Sequence, residues 1–182
     1  MKVNWVKACL IIGFFGLLLG FMLKHLLPPD LDKIKLTDEL HPIVAEKKEK
    51  LIQQANEKGI LVIITAGFRT LEEQNDLYEK GRLKSGSIVT NARGGESLHN
   101  FGLAIDFALL NKQGEAIWNM EYDGNDNGES DWMEVVSIAK DLGFEWGGDW
   151  SGFKDYPHLQ MTFGLSLREL QQVKSLQNSK SE

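Results

Sequence analysis

Cysteine is nearly absent. The single Cys9 in 182 residues excludes an intrachain disulfide and any zinc site built on clustered thiolates. Positive charge is scarce beyond residue 27: residues 28–182 carry 17 Lys and Arg against 26 Asp and Glu, a net of −9. A surface of that sign repels phosphate backbones, so no nucleic-acid partner is expected. There is no H-E-x-x-H helix to supply two metal-binding imidazoles from one face, and no internal repeat. Apolar material is plentiful. A hydrophobic content of 42% excludes a disordered chain, and the length suits one domain of roughly 100–200 residues. Stability must come from that core or from a metal.

The apolar residues are unevenly placed. Ala8 to Leu23 is a run of sixteen residues without a charge, which as a helix covers about 24 Å. Trp5, Leu26 and Leu27 lengthen it, and the stems of Lys7 and Lys24 extend toward the interfaces. The run is followed by Lys24-His25-Leu26-Leu27-Pro28-Pro29 instead of the small residues of a signal-peptide cleavage site. Residues 1–27 are therefore expected to be an uncleaved, single-pass anchor in the cell membrane. Lys2 and Lys7 favour a cytoplasmic N-terminus, which leaves the rest of the chain on the extracytoplasmic side. Residues 28–41 read as a linker, 42–176 as one folded domain and 177–182 as a polar tail, with fraying expected beyond Leu176.

Within the domain, Pro42 suits the first position of a helix whose apolar stripe is Ile43, Val44, the Lys47 stem, Leu51, Ile52 and Ala55, with Gly59 as its stop. Ile60 to Thr65 is a continuous apolar run and predicts a central strand buried on both faces. Thr70-Leu71-Glu72-Glu73 and Ser166-Leu167-Arg168-Glu169 are capping boxes that open two further helices. Residues 81–96, rich in Gly, Ser and Asn, predict a long loop of the kind that borders functional sites. Another helix is expected from Asp131 to Leu142, ended by Gly143, and a strand from Pro157 to Phe163. Helices and strands follow in irregular order, so the expected fold class is α+β, a mainly antiparallel sheet with flanking helices.

Two strands carry polar groups where a core strand should not. Alternation puts Leu103, Ile105, Phe107 and Leu109 on one face, leaving Asp106 with the small Ala104 and Ala108 on the other. In His158–Phe163 the apolar set is Leu159, Met161 and Phe163, opposite His158, Gln160 and Thr162. If the strands share a sheet, Asp106 and His158 face one cleft. His99 lies seven residues before Asp106, and Gly102 permits the bend that brings both to one point. Two imidazoles and one carboxylate suit Zn²⁺ and leave a fourth position for water. Asp155, held in an extended entry by Tyr156-Pro157, is a candidate proton acceptor. Arg69, directly after the apolar run, is a candidate stabiliser of a developing oxyanion or a substrate carboxylate. Each residue alone has a plainer reading: a hydrogen-bonded core histidine, a turn-binding aspartate, a surface ion pair.

Together the motifs resemble a family. Ser97-Leu98-His99-Asn100-Phe101-Gly102-Leu103-Ala104-Ile105-Asp106 matches the S-x-H-x-x-G-x-A-x-D signature of zinc D-alanyl-D-alanine carboxypeptidases and L-alanyl-D-glutamate endopeptidases. Asp155-Tyr156-Pro157-His158 resembles their second, acid-x-x-H signature. Gly67-Phe68-Arg69-Thr70 with Gln74 and Leu77-Tyr78 resembles their arginine block, and Trp146-Gly147-Gly148-Asp149-Trp150 fits the branch with membrane-associated and phage cell-wall peptidases. The resemblance implies a hedgehog/DD-peptidase-like fold, with residues 42–176 as a zinc peptidase domain. It makes His99, Asp106 and His158 the zinc ligands and Asp155 the general base and acid. Arg69 becomes a catalytic stabiliser of the substrate carbonyl or carboxylate, Ser97 a hydrogen-bond donor either to substrate or to the groups behind the site, and Gln74 a substrate-side residue. The implied substrate is the stem peptide of peptidoglycan. Aspartate at position 155, where D-Ala-D-Ala cleavers carry glutamate, resembles the endopeptidases that cut L-Ala–D-Glu. The alternatives are a D-alanyl-D-alanine carboxypeptidase and a non-catalytic wall-binding module with a structural zinc. Oligomeric state is left open.

Asp123-Gly124-Asn125-Asp126-Asn127-Gly128, with Asp131 and Glu134 beyond, fits the D-x-[DN]-x-[DN]-G-x₅-E calcium pattern. The residues at its ligand positions are Asp123, Asn125, Asn127, Asp131 and Glu134. The plainer reading is a turn-rich loop with Asx caps.

Overall fold

The computed structural model describes residues 34–180. The expected anchor, residues 1–27, lies outside the described residues. Among the described residues no helix is long and apolar enough to cross a membrane. The longest, Pro42–Glu57 (α1), has 16 residues and carries six charged side chains, each costly in hydrocarbon. This corrects the sequence-based localisation: the single-pass membrane placement with an extracytoplasmic domain, and the membrane tether as a partner, are withdrawn.

Where the chain has its local start signals, helices begin at them. Pro42 opens α1 behind His41, whose Nδ1 accepts the Ile43 N–H at 3.3 Å. Thr70 and Ser166 each form a complete capping box at the head of Leu71–Glu79 (α2) and Leu167–Ser179 (α4). Ser130 caps Asp131–Asp141 (α3), which stops before Gly143 at φ +94°, a conformation glycine adopts without a Cβ penalty. The strands are Val62–Ala66 (β1), Ala104–Leu110 (β2), Ala116–Ile117 (β3), Glu145–Trp146 (β4) and His158–Gln160 (β5). Their order is β1-β2-β5-β4, with β3 also on β2, and every pairing is antiparallel. The fold class is therefore the expected α+β.

The central strand is β2, not β1. Leu103, Ile105, Phe107 and Leu109 are fully buried, and the Phe107 ring meets Trp132 of α3 at 4.5 Å between centroids. Such a pair is worth about 0.5–1.5 kcal/mol beyond its buried area. Val44, Leu51 and Ala55 of α1 and Val135 and Ala139 of α3 complete this side of the core. The apolar run from Ile60 misled because hydrophobicity does not report sheet position. β1 pairs only with β2, and Leu61 and Ile63 stay 45% and 40% exposed. The last strand is also shorter than expected, ending at Gln160; Phe163, predicted to continue it, turns away at φ +51°.

The C-terminal tail does not fray at Leu176. Helix α4 continues to Ser179, and Gln177 donates to the Ile34 carbonyl at 2.7 Å and accepts from the Leu36 N–H at 3.2 Å. Leu36 is buried, so the part of the expected linker that is described packs onto the fold.

Candidate metal centre

The polar face of β2 opposite the Phe107 side carries the candidate centre. Register places Asp106 directly across from His158, so both side chains leave the sheet on the same face. His99 arrives differently. It sits in a 3₁₀ turn, Leu98–Phe101, capped by Ser97, whose Oγ accepts the His99 N–H at 3.4 Å. The turn ends at Gly102 with φ +68°. A Cβ there would strike the Glu39 carbonyl, so both backbone angle and space demand glycine.

The result is one cluster. His99 Nε2 lies 3.3 Å and His158 Nδ1 3.1 Å from Asp106 Oδ1. Among the described residues, this is the group of three or more His, Cys, Asp or Glu whose donor atoms all fall within 4.8 Å of one another. The hydrogen bonds behind the rings determine their tautomers. His99 Nδ1 is 2.7 Å from the Gly67 carbonyl, which can only accept, so Nδ1 holds the proton and Nε2 presents its lone pair inward. For His158 the constraint runs through two more residues. Glu145 Oε2 accepts from Gln160 Nε2 at 2.8 Å, which turns Gln160 Oε1 toward His158 Nε2 at 3.1 Å. That nitrogen therefore donates, and Nδ1 faces the cluster with its lone pair. Two nitrogen lone pairs and a carboxylate oxygen converging on one point fit a zinc ion, whose ligating imidazoles characteristically donate their far N–H to such partners.

Electrostatics follow the same geometry. Without a cation, the inner ring nitrogens donate to Asp106 in place of binding a metal: burial works against the Asp106 carboxylate, but hydrogen bonds and charge from His158 and His99 outweigh it and hold its pKa far below the ordinary aspartate value. Burial also opposes a charged His158, yet Asp106, joined by Asp155 and Gln160, raises its pKa. Both shifts describe a site that attracts a positive charge between the carboxylate and the ring.

The cluster floors a cleft of 660 Å³ lined by Arg69, Ser97, Asp155 and the three clustered residues. The predicted loop supplies one wall, through Ile88–Ala92 and Glu96. Trp150, from the Trp-Gly-Gly-Asp-Trp segment, joins Trp118 and Phe153, which the sequence did not single out, as aromatic parts of the lining. Asp155 enters on a loop held from behind: its N–H donates to the Gly147 carbonyl at 3.2 Å, and its carbonyl accepts the His158 N–H at 3.2 Å. A Cβ on Gly147 would collide with the Asp155 backbone, and Trp146 Nε1 donates to the Tyr156 carbonyl at 2.7 Å. The Trp-Gly-Gly segment is thus a cradle for Asp155. Burial, reinforced by the Asp106 charge, pushes the Asp155 carboxyl up against the opposing pull of His158, His99 and Arg69.

Arg69 reaches Asp106 Oδ2 at 3.9 Å and donates from Nη1 to Gln74 Oε1 at 2.7 Å. The expectation that Gln74 faces substrate is corrected. Gln74 is fully buried, its Oε1 is taken by Arg69 and its Nε2 donates to the Ala92 carbonyl at 2.8 Å. It braces Arg69 and the loop wall from beneath the cleft. Gln160 and Glu145 were missed as supports of the His158 ring. The signal was present in the alternation that put Gln160 on the His158 face, but Glu145 lies on a different strand.

The Asp123–Glu134 loop stands apart. Its carboxylates are met mainly by the chain: Asp123 accepts the Asn127 and Gly128 N–H groups at 3.1 and 2.9 Å, and Glu134 pairs with Lys58 at 2.8 Å. These residues do not converge as the histidine cluster does.

Known proteins resemble this chain in sequence and fold. A family model described as D-alanyl-D-alanine carboxypeptidase matches residues 90–161, the stretch holding all three clustered residues and Asp155. The chain is 63% identical over 131 residues to the peptidoglycan L-alanyl-D-glutamate endopeptidase CwlK of Bacillus subtilis, covering 72% of this chain and 78% of that protein. It is 38% identical over 115 residues to the L-alanyl-D-glutamate peptidase of Listeria phage A118, covering 63% of this chain and 35% of the phage protein. The solved LdcB LD-carboxypeptidase superposes with a TM-score of 0.50 at 16% identity, over 78% of this chain and 68% of that one, a likeness of fold alone. With a relative this similar across most of both sequences, the chain belongs to the family of D-alanyl-D-alanine carboxypeptidases and L-alanyl-D-glutamate endopeptidases and is a peptidase.

Proposed function

We propose that the chain is a zinc-dependent endopeptidase of peptidoglycan stem peptides that cuts the L-Ala–D-Glu bond, with residues 42–176 as the catalytic domain. The observation that carries this reading is the convergence of His99 Nε2, Asp106 Oδ1 and His158 Nδ1 on the floor of the cleft that Asp155 also lines. These three side chains would hold the metal, which when bound acidifies a water and polarises the scissile carbonyl. Asp155 takes the proton of the attacking water and returns it to the leaving amine. Its raised pKa suits both halves of that cycle, since a base poised nearer neutrality also serves as an acid. Arg69, 17% exposed and anchored by Gln74, supplies a fixed positive charge for the oxyanion or a substrate carboxylate. Ser97 lines the same cleft as a hydrogen-bonding group for the peptide.

The choice of bond is supported by the names of the two relatives, both L-alanyl-D-glutamate peptidases, and by aspartate at position 155. The family description names the other reading, D-alanyl-D-alanine carboxypeptidase. Purified muropeptides digested with the zinc-loaded protein and weighed by mass spectrometry separate them. The endopeptidase yields fragments beginning at D-Glu; released D-alanine supports the carboxypeptidase instead. Asp155→Asn is expected to lower kcat about 10²–10⁴-fold with zinc stoichiometry unchanged. Near-wild-type turnover in that variant removes Asp155 from the reaction.

A further inference from the structure

The loop that leads into α3 contains a carboxylate oxygen that the fold leaves unanswered. Asp131 is only 2% exposed, and its Oδ1 is buried with no hydrogen-bond partner. Its Oδ2 accepts the Gly124 N–H at 3.0 Å, so the group is turned into the loop and away from its own helix. A buried carboxylate oxygen without a donor is rare, because desolvation is then uncompensated. Burial accordingly raises the Asp131 pKa.

The surroundings have the form of a cation loop whose oxygens are held by hydrogen-bond donors. Glu134 Oε2 accepts from the side-chain amides of Asn125 and Asn127 at 3.2 and 2.9 Å, and Lys58 Nζ sits 2.8 Å from Oε1. Glu134 is therefore already folded back over the third and fifth positions of the motif. Half-turns of the two amides exchange their N–H groups for carbonyl oxygens at the same place. Gly128, the sixth position, has φ +87° and open space where a Cβ would stand, as the sharp turn of a calcium loop requires.

We propose that this loop is a calcium site, with Asp123, Asn125, Asn127, the Glu129 carbonyl, Asp131 and Glu134 as its oxygen ligands. Three carboxylates and no nitrogen donor suit a hard cation, and a loop of adjustable side chains suits Ca²⁺ over the strictly octahedral Mg²⁺. The cation would answer Asp131 Oδ1 and displace the amides and Lys58 from Glu134. It would also join two parts of the fold, because Asn125 donates to the Lys58 carbonyl at the end of α1 while Asp131 and Glu134 begin α3. The site is independent of the peptidase reading and does not share a residue with the cleft.

The test uses the full chain loaded with zinc, in buffer freed of calcium on a chelating resin before zinc is restored, so that the histidine cluster is filled throughout. Calorimetric titration with CaCl₂ is expected to show one ion per chain with a Kd of about 10⁻⁵ to 10⁻³ M. Calcium at a hundredfold excess over Kd is expected to raise the thermal midpoint by at least about 5 °C, with a smaller response to magnesium. Glu134→Gln and Asp123→Asn should each weaken calcium at least about tenfold and leave calcium-free peptidase activity unchanged. Asp123→Asn is a loop substitution that keeps the test open should Glu134→Gln disturb α3. Absence of binding up to about 10 mM calcium, an equal response to magnesium, or affinity untouched by both substitutions overturns the proposal.

Discussion

The His99–Asp106–His158 cluster and the Asp123–Glu134 loop both gather side chains of types that can bind ions, and they are assembled in opposite ways. The first takes its donors from a 3₁₀ turn and two strands up to 59 residues apart in sequence. Each ring is oriented from behind by a hydrogen bond, to Gly67 or through Gln160 to Glu145. The second takes its side-chain donors from twelve consecutive residues, and those donors are largely turned onto one another and onto Lys58. Distant segments bring donors to one point only when the fold is complete, so that site is as rigid as the sheet. A contiguous loop can exchange internal hydrogen bonds for an ion, so its geometry follows its occupant.

The largest difference should appear on removing a support behind the histidine cluster. Gln160→Ala frees His158 Nε2 and the ring's orientation, and zinc affinity is expected to fall about 10–100-fold, with Gln160→Glu restoring part of it. Asn125→Ala in the loop should leave zinc affinity unchanged. Competition titration against a zinc chromophore measures both, and equal effects would erase the distinction between a rigid and an adaptable site.

Two glycines give a smaller contrast. Gly102→Ala combines a left-handed backbone with a collision against the Glu39 carbonyl and should cost more than about 2 kcal/mol, displacing His99 and weakening zinc. Gly128→Ala meets open space at φ +87° and should cost only about 1 kcal/mol. Urea unfolding with zinc bound reads the pair.

The smallest expected effect lies in the pH dependence, and its sign differs between the regions. The folded pKa of Asp155 is raised, so the unfolded chain ionises first above about 3.8, and folding loses stability as pH rises toward the folded value. Asp155→Asn removes that loss and should leave the protein at least as stable at pH 7. Glu134 is lowered, chiefly by the Lys58 hydrogen bond. Its contribution is present above 4.5 and declines as pH falls through the folded value, so Glu134→Gln should destabilise at pH 7 and progressively less toward acid. Thermal midpoints across pH 3–7 decide whether the two slopes are in fact opposed.

Local signals were readable where a few neighbouring residues suffice. The capping boxes at Thr70 and Ser166, the stop at Gly143 and the alternation around Asp106 all report short-range sterics or a two-residue period. The Gly102 bend was legible because a glycine inside an apolar strand pattern is costly without a purpose. Sheet position was not legible: Ile60–Thr65 is as apolar as β2, yet β1 is an edge. Nor was Gln74's role, since a glutamine that braces an arginine and one that binds substrate are the same residue at the same spacing.

By itself, the order of residues determined which side chains were available for chemistry, on which face of each strand they stood, and where helices began, because these follow from backbone geometry and nearest neighbours. Tertiary structure alone decided that β2 is central, that Gln160 and Glu145 align His158, and that Gln74 lies beneath Arg69. Those outcomes depend on which strand pairs with which and on hydrogen bonds between segments far apart in the chain, and no local pattern encodes the distance between such segments.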